Sequence, residues 1–162
     1  MPTERFVAEL NTQIAREFAA AHQYTAIGAW YEAEAFPRIA AFFYEQAEEE
    51  RGHAMKMVRY LLDTASPVDF GEIAAPRGSF GDHVEPIAAA LEQEREVTVQ
   101  IGRLFEVARE TNDYASEQFL HWFLEEQVEE ESEMEDLLKV AERTRDIPTL
   151  LEEHLSRDAP GD

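Results

Sequence analysis

Four glutamates fall near the middle of four apolar helical stripes, and the second is followed one turn later by a histidine: Glu17, Glu50 with His53, Glu94 and Glu130. Residues on one buried helix face recur at alternating steps of three and four, so each acid occupies a position where an apolar side chain is expected. Several ionised carboxylates in one core would lose hydration and repel one another unless they are protonated, paired or bound to cations. A pair of metal ions is the simplest compensation, so the pattern predicts a carboxylate di-iron site.

The spacing also suggests which residue binds which ion. Glu50 and His53 lie three residues apart and can bind the same ion, with the Glu50 carboxylate free to bridge to a second one. Glu17 would complete the first site, and Glu94 and Glu130 would bind the second. Ferrous iron accepts this mixed oxygen and imidazole ligation, and such a site leaves open positions where dioxygen can coordinate.

Three further side chains lie close to these acids along the chain. Gln127, one turn before Glu130, is neutral and can hold a water or a weakly bound ion. Tyr24, seven residues after Glu17 on the same stripe, can hydrogen-bond a ligand or supply an electron during oxidation. Trp122 is expected to serve packing.

Helical periodicity and its breaks predict one all-α domain over residues 1–162, made of two helix hairpins and one long crossover. The predicted helices cover about residues 3–34, 37–64, 82–110, 113–145 and 147–156. The crossover, 65–82, holds two prolines and three glycines. Fully extended it reaches about 60 Å, enough to traverse a helix about 42 Å long. Asp146 and Pro148 predict the start of the short last helix, and the tail 157–162 is predicted to be disordered.

The amino-acid composition limits the kinds of molecule and of metal site that the protein is expected to bind. The 162 residues include 35 acidic and 14 basic side chains, a formal charge of −21, which disfavours nucleic acid and anionic membranes and attracts cations. The absence of cysteine excludes disulfides, thiolate zinc sites and cysteine-ligated iron–sulfur clusters. The first residues lack a basic segment followed by an apolar one, and no apolar run approaches membrane-spanning length. A cytoplasmic protein without membrane attachment is therefore expected.

On these residues the chain resembles the bacterial non-haem ferritins, from Phe6 to about Leu155. The resemblance is carried by the second-helix segment Glu49-Glu50-Arg51-Gly52-His53, the fourth-helix segment Glu125-Glu126-Gln127-Val128-Glu129-Glu130, and the positions Glu17, Tyr24 and Glu94. It implies a ferritin-like four-helix bundle that oxidises Fe(II) with O2 or H2O2 at a di-iron centre inside each subunit. It also implies a homo-oligomeric shell of twenty-four subunits that stores ferric oxyhydroxide.

The resemblance extends to two accessory features. It implies an additional iron site made by three more glutamates: Glu49, Glu126 and Glu129. From the residues alone, exposed glutamates on acidic helices need no such explanation. Family members also admit iron through threefold channels, at positions occupied here by Asp113, Glu117 and His121. A solvated helix flank would show the same residue types, so the channel is left open, with Glu117 as its most favoured member.

Several departures separate the chain from related families. Bacterioferritins carry a second Glu-x-x-His motif in the fourth helix. Here Gln127 is followed three residues later by Glu130 instead of a histidine. Arg51 and Gly52, rather than a methionine, precede His53, so no haem is expected. Rubrerythrins add a cysteine-bound iron domain, which a chain without cysteine cannot have. DNA-protecting mini-ferritins build their sites between subunits and lack the fifth helix.

Two other functions stay open at this stage. The first is a metal-buffering or structural cage protein whose centre binds iron or zinc without useful turnover. The second is an oxygenase of the same bundle class that acts on an organic substrate. Such oxygenases usually pair two Glu-x-x-His motifs, and this chain has only one in its core stripes.

Overall fold

The computed structural model describes residues 2–157, which form five α-helices and no strand. The helices are α1 (Glu4–Ala33), α2 (Pro37–Asp63), α3 (Glu85–Glu110), α4 (Tyr114–Arg143) and α5 (Thr149–Arg157). The predicted all-α bundle with one long crossover and a short fifth helix is confirmed. The predicted tail, 157–162, lies outside the described residues except for Arg157, which ends α5. None of the helices in the described part of the chain is long and apolar enough to cross a bilayer.

The four long helices pack as two hairpins, α1 with α2 and α3 with α4, because each pair is joined by a short connection. Ala35 turns the first connection with a φ of 63°, and Asn112 turns the second with a φ of 53°. Asp113 then caps α4, where its carboxylate accepts a hydrogen bond from the Ser116 backbone amide at 3.1 Å. Contacts between α1 and α3 bring the two hairpins together.

The crossover between α2 and α3 is held on α1 by two amide side chains. Asn11 donates to the Pro67 carbonyl at 3.0 Å and accepts from the Asp69 backbone amide at 2.9 Å. Gln23 donates to the Arg77 carbonyl and accepts from the Arg77 amide, both at 2.8 Å. Because Asn11 and Gln23 lie more than three helical turns apart, the crossover follows α1 lengthwise.

Two helices begin later than the sequence predicts. The Asp82 carboxylate accepts from the backbone amides of Val84 at 2.9 Å and Glu85 at 3.0 Å, so residues 82 to 84 form a side-chain-bonded turn and α3 starts at Glu85. These backbone hydrogen bonds also lower the pKa of Asp82, the one from Glu85 most. Helix α5 starts at Thr149, so Asp146 lies outside its first turn.

Helix α5 docks on the start of α2 and caps it. Phe36 precedes α2 and offers no side-chain cap. Glu152 supplies one instead, because its two carboxylate oxygens accept from the backbone amides of Arg38 at 2.6 Å and Ile39 at 3.2 Å. Leu151 is fully buried beside this contact. Helix α5 is therefore held on the bundle by the hydrogen bonds of the Glu152 carboxylate and by the buried Leu151 side chain.

The bundle core consists of two apolar clusters separated by a polar layer. One cluster includes Phe6, Leu10, Met57, Leu61, Ile101 and Leu120. The other includes Tyr24, Ile27, Phe43, Ile87, Met134 and Leu151. On each of the four long helices the predicted core acid falls between these clusters. Apolar packing above and below thus fixes the height at which the acids face one another.

Candidate metal centre

Five predicted ligands from four helices meet in this polar layer, and all are nearly inaccessible to solvent: Glu17, Glu50 and Glu94 (each 1% exposed), Glu130 (4%) and His53 (5%). Within residues 2–157, three groups offer ligand atoms that lie within 4.8 Å of one another: Glu17/Glu50/His53, Glu50/Glu94/Glu130 and His53/Glu126/Glu130. The first two groups share Glu50. They correspond to the two ion positions expected from the spacing, with Glu50 in the bridging place.

The His53 imidazole lies between acids on both of its edges. Its Nδ1 is 3.5 Å from Glu50 Oε2 and 3.9 Å from Glu17 Oε2. Its Nε2 is 3.6 Å from Glu130 Oε1 and 3.9 Å from Glu126 Oε2. These separations are too long for hydrogen bonds. On each edge of the ring, the separations suit ligand atoms that share one ion, because two ligands each roughly 2.0–2.2 Å from a metal lie about 3–4 Å apart.

The carboxylate oxygens of the centre fall into two classes. Tyr24 donates its hydroxyl to Glu94 Oε1, and the Gln127 amide donates to Glu94 Oε2 at 3.2 Å. By contrast, five buried carboxylate oxygens accept no N–H and no hydroxyl in the described chain: both of Glu50, both of Glu130 and Oε2 of Glu17. Without metal, a proton can be shared between Glu17 and Glu50 and between Glu94 and Glu130. Buried polar atoms without partners are costly and rare. Bound cations would satisfy all five.

Burial shifts the pKa values of the ionisable side chains in the centre. Desolvation, reinforced by the charges of Glu17 and Glu94, raises the pKa of Glu50 well above its usual value. Desolvation and the same two neighbours also raise the pKa of Glu130. Desolvation lowers the pKa of His53 to about 4, so the imidazole is neutral at pH 7 and keeps a lone pair for a metal. Metal-free, the carboxyls retain protons that a divalent cation would displace.

Tyr24 and Gln127, predicted as companions of the centre, both contact Glu94. Tyr24 is fully buried, and its hydroxyl bonds to the carboxylate. Gln127 donates from Nε2 to the Glu94 main-chain carbonyl at 3.1 Å as well as to its side chain. The amide nitrogen of Gln127 is therefore engaged, and only its oxygen is left for a water or an ion. Electron supply by Tyr24 stays a prediction.

The acids expected to form an accessory iron site differ in their exposure. Desolvation, and after it the charges of Glu133 and Glu126, raise the pKa of Glu49. Glu126 approaches the centre through His53 and Glu130. Glu49 and Glu129 are exposed, and among the described residues they belong to none of the three ligand groups. The accessory site therefore stays a prediction.

The residues considered for an iron channel have local partners. Asp113 is buried, caps α4 and also accepts from the Ser116 hydroxyl at 2.6 Å. Glu117 accepts from Arg109 Nε at 2.9 Å, and His121 is exposed. The cap gives Asp113 a structural role, and a channel between subunits stays a prediction.

Sequence reasoning missed two buried amides beside Glu17. Gln13 is 1% exposed and Gln100 is 8% exposed. The available signal was spacing, since Gln13 lies one turn before Glu17 on the same helix face. Trp122, expected to pack, does so against the ligand itself, with its ring centroid 5.3 Å from that of His53 in an edge-to-face arrangement.

An open groove between α2 and α4 leads from the surface to the centre. Its lining includes His53, Glu126 and Trp122, and the Lys56 ammonium lies 3.8 Å from the centroid of the Trp122 ring. Gly52 also lines this groove, and a Cβ there would meet nothing within 4 Å. Solvent therefore reaches the His53 edge of an otherwise buried site.

Comparison with known proteins assigns this architecture. The chain matches the ferritin-like domain family over residues 7–144. It is 46% identical over 142 residues to ferritin BfrB of Mycobacterium tuberculosis, covering 88% of this chain and 78% of that protein. It is 39% identical over 146 residues to the bacterial non-heme ferritin of Staphylococcus aureus, covering 90% and 88%.

Solved structures agree with the sequence comparison. A humanized archaeal ferritin superposes with a TM-score of 0.95 at 25% identity, covering 100% of this chain and 99% of that one. A closed form of the Archaeoglobus fulgidus ferritin, engineered by site-directed mutagenesis, gives 0.93 at 26% identity, covering 96% and 97%. The sequence match, the shared bundle and the acids at its centre together place this chain in the ferritin-like domain family.

Proposed function

We propose that this protein stores iron, and that it oxidises Fe(II) at the buried centre with O2 or H2O2 as the oxidant. The product would be kept as a ferric mineral inside a cytoplasmic, homo-oligomeric shell of twenty-four subunits. Family membership and relatives named as ferritins support iron storage. The non-haem type belongs to the proposal, because one M. tuberculosis relative is named a bacterioferritin. The observation that carries the ferroxidase activity is the set of partnerless buried carboxylate oxygens around His53.

The residues divide into two ligand sets for the substrate ions. Glu17, Glu50 and His53 would hold one Fe(II), and Glu50, Glu94 and Glu130 would hold the other. No amide or hydroxyl of the described residues fixes either oxygen of Glu50 or Glu130, so once bound ions displace the shared protons these carboxylates would be free to change between terminal and bridging ligation. Glu94 is held on both oxygens and would serve as the rigid member of its set.

The balance of the reaction fixes what the protein must supply. Each of two Fe(II) ions loses one electron, and the pair reduces one O2, which takes up two protons to give H2O2. With H2O2 as the oxidant, the same two electrons and two protons give two waters. Because the carboxyls have raised pKa values, they release protons when the ions bind, and these protons lie where the reduced oxygen needs them.

Stopped-flow absorbance in air tests this proposal. Addition of about two Fe(II) per subunit, the ratio that a di-metal site demands, should give a fast oxidation phase that saturates near that ratio. His53→Ala and Glu50→Ala should both lose this phase. Glu92→Ala removes an exposed glutamate from α3 and should retain it.

Two outcomes would contradict the proposal. Unchanged aerobic oxidation in both His53→Ala and Glu50→Ala would show that the centre is not where iron is oxidised. Oxidation by the wild-type protein no faster than in buffer, together with tight iron binding, would instead establish the metal-buffering cage.

A further inference from the structure

Glu17 differs from the other acids of the first ligand set because one of its oxygens is held and the other is not. Gln13 Nε2 donates to Glu17 Oε1 at 2.7 Å. Among the described residues no N–H or hydroxyl donates to Glu17 Oε2, and it is this oxygen that lies 3.9 Å from His53 Nδ1. The two oxygens of this carboxylate are therefore in separate environments, one made by the protein and one open to an ion.

The Gln13 amide is itself fixed by further hydrogen bonds. Its Nε2 also donates to Gln100 Oε1 at 3.0 Å, and its Oε1 accepts from Arg16 Nη1 at 3.3 Å. Gln100 in turn donates from Nε2 to Glu96 Oε1 at 3.2 Å. A primary amide has two hydrogens and one acceptor oxygen, and all of them are used here. The nitrogen is thereby directed toward Glu17, and a flipped amide would lose these contacts.

We propose that Gln13 is a positioning residue for the first ion: it holds Glu17 Oε1, so that Glu17 binds metal through Oε2 alone, and Gln100 keeps Gln13 in place. This inference rests on the proposed function, since it takes the centre to be a metal site. A carboxylate without such a donor can rotate, chelate with both oxygens or turn away. Groups that orient metal ligands in this way typically contribute 10–100-fold to metal affinity.

The proposal makes the two ion positions unequal in a testable way. Gln13 contacts Glu17 and none of the other acids of the centre through the hydrogen bonds found here. Glu94 is oriented independently, by Tyr24 and Gln127. Loss of the Gln13 donor should therefore weaken the ion held by Glu17 and leave the ion held by Glu94 and Glu130 little changed. A loss of overall stability would weaken both.

The experiment is a titration of the full-length apo-protein with Co(II) alone, followed by its visible ligand-field absorption. Gln13→Met keeps the length of the side chain and removes the amide. Gln93→Met is the matched control, because the Gln93 amide nitrogen is buried without a hydrogen-bond partner. We expect about two Co(II) per subunit in the wild type and the control. We expect one of the two to bind at least ~10-fold more weakly in Gln13→Met.

Three results would overturn the proposal. Both affinities within about twofold of wild type in a folded Gln13→Met protein would remove the positioning role alone. Equal weakening of both ions, with a matching fall in the thermal midpoint, would make Gln13 merely structural. Absence of Co(II) binding at the centre of the wild-type protein would overturn the proposed function and this inference together.

A second variant keeps the test decisive if Gln13→Met does not fold. Gln100→Met leaves the Gln13 donor on Glu17 and removes the acceptor that holds Gln13 Nε2 from the other side. It also removes the contact of Gln100 with Glu96, while Arg16 still bonds to Gln13 Oε1. We expect the affinity for the first ion to fall several-fold, by less than the ~10-fold expected when the Gln13 donor itself is lost, with the second ion unchanged. An affinity equal to wild type would show that Gln100 does not hold Gln13 for this purpose.

Discussion

Two acidic regions of this bundle have similar composition and different chemistry. The core acids, Glu17, Glu50, Glu94 and Glu130, are at most 4% exposed, and all but Glu94 lie within 4 Å of the His53 imidazole. The flank acids, Glu49, Glu126 and Glu129, lie on α2 and α4 beside Glu50 and Glu130. Two of the three are exposed, and only Glu126 belongs to a ligand group of the centre among the described residues. A rotation of about 100° per residue separates Glu129 from Glu130. Burial, rather than acidity, distinguishes the site from its surroundings.

The physical reason is solvation. Water stabilises a flank carboxylate at little cost, so its charge demands no partner. A core carboxylate has lost that water and must hold a proton, accept a hydrogen bond or bind a cation. Glu94 accepts hydrogen bonds from Tyr24 and Gln127. Among the described residues no N–H or hydroxyl donates to Glu50 or Glu130, which leaves cations or protons shared with Glu17 and Glu94.

The largest expected difference between the two regions is in the rate of iron oxidation. Glu130→Ala should slow the fast phase of Fe(II) oxidation by about 100-fold or more, roughly 2.7 kcal/mol in activation free energy, because it removes a ligand of the second ion. Glu129→Ala, one residue away, should slow it by no more than about threefold. Stopped-flow absorbance at about two Fe(II) per subunit measures both. Equal slowing of iron oxidation by the two substitutions would show that the core acids and the flank acids do not differ in this role.

The second difference concerns the stability of the metal-free protein. Glu130→Met replaces a buried, desolvated carboxyl that lies among other acids by an apolar side chain of similar length, and it should raise the free energy of unfolding by about 1–4 kcal/mol. Glu129→Met changes an exposed position and should stay within about 0.5 kcal/mol of wild type. Urea unfolding of the apo-proteins measures both values. Destabilisation by Glu130→Met would mean that the carboxyl is satisfied without a cation.

The third difference is a pH dependence to which the core acids should contribute most, although burial also raises the pKa of the more exposed Glu49 and Glu133. Burial and the neighbouring acids raise the pKa of all four core carboxyls, that of Glu130 to about 10, so above pH 7 the folded chain holds at least one proton that the unfolded chain has lost. The free energy of unfolding should therefore fall as the pH rises, by about 1.4 kcal/mol per pH unit for each such proton.

The window from pH 7 to 8.5 isolates this effect. His53 contributes the opposite slope, with stability gained as the pH rises, but only between its folded pKa of about 4 and its unfolded value of 6.5. Urea titrations of the apo-protein across the window should show the decline, and Glu130→Met should show a shallower one. Stability that is flat or rises in the wild type would contradict raised carboxyl pKa values.

The smallest expected effect separates two tyrosines of α1. Tyr24 and Tyr31 are both fully buried, and they donate to Glu94 and to the His83 carbonyl respectively. Tyr24→Phe and Tyr31→Phe should each lower the free energy of unfolding by about 1 kcal/mol, the usual loss for one buried hydrogen bond.

Only one of these two substitutions should change the affinity for a metal ion. Tyr24→Phe frees Glu94 Oε1 and should change the affinity for the second ion several-fold in a Co(II) titration, whereas Tyr31→Phe should leave both affinities unchanged. Identical metal binding by the two variants would show that the Tyr24 hydroxyl does not orient Glu94.

The sequence alone predicted the fold class well, because helical periodicity is a local signal. The order of helices, the two hairpins and the long crossover all follow from stripe spacing and from the prolines and glycines of the loop. The predicted starts of α3 and α5 were early by two or three residues. A side-chain turn at Asp82 delays α3, and such turns compete with helix ends without changing the apolar pattern.

The identity of the core acids was also present in the sequence. Each interrupts a stripe whose other members are apolar, and the structure buries all of them at one height of the bundle. Their roles as iron ligands stay predictions. The sequence could not separate Glu126, which approaches His53, from Glu49 and Glu129, because their helical angles differ only modestly and the packing of α2 against α4 decides which one turns inward.

Tertiary structure alone decided which polar groups meet across the bundle. The pairing of Gln13 with Gln100, of Tyr24 with Glu94 and of Glu152 with the start of α2 joins residues 87, 70 and more than 110 positions apart. Periodicity states which face of a helix is buried, but it does not state which residue of another helix lies opposite. That choice depends on the rotation and axial register of packed helices, which side-chain volumes set collectively. The chain therefore encodes its core acids locally, while the hydrogen bonds that orient them exist only once the four helices have assembled.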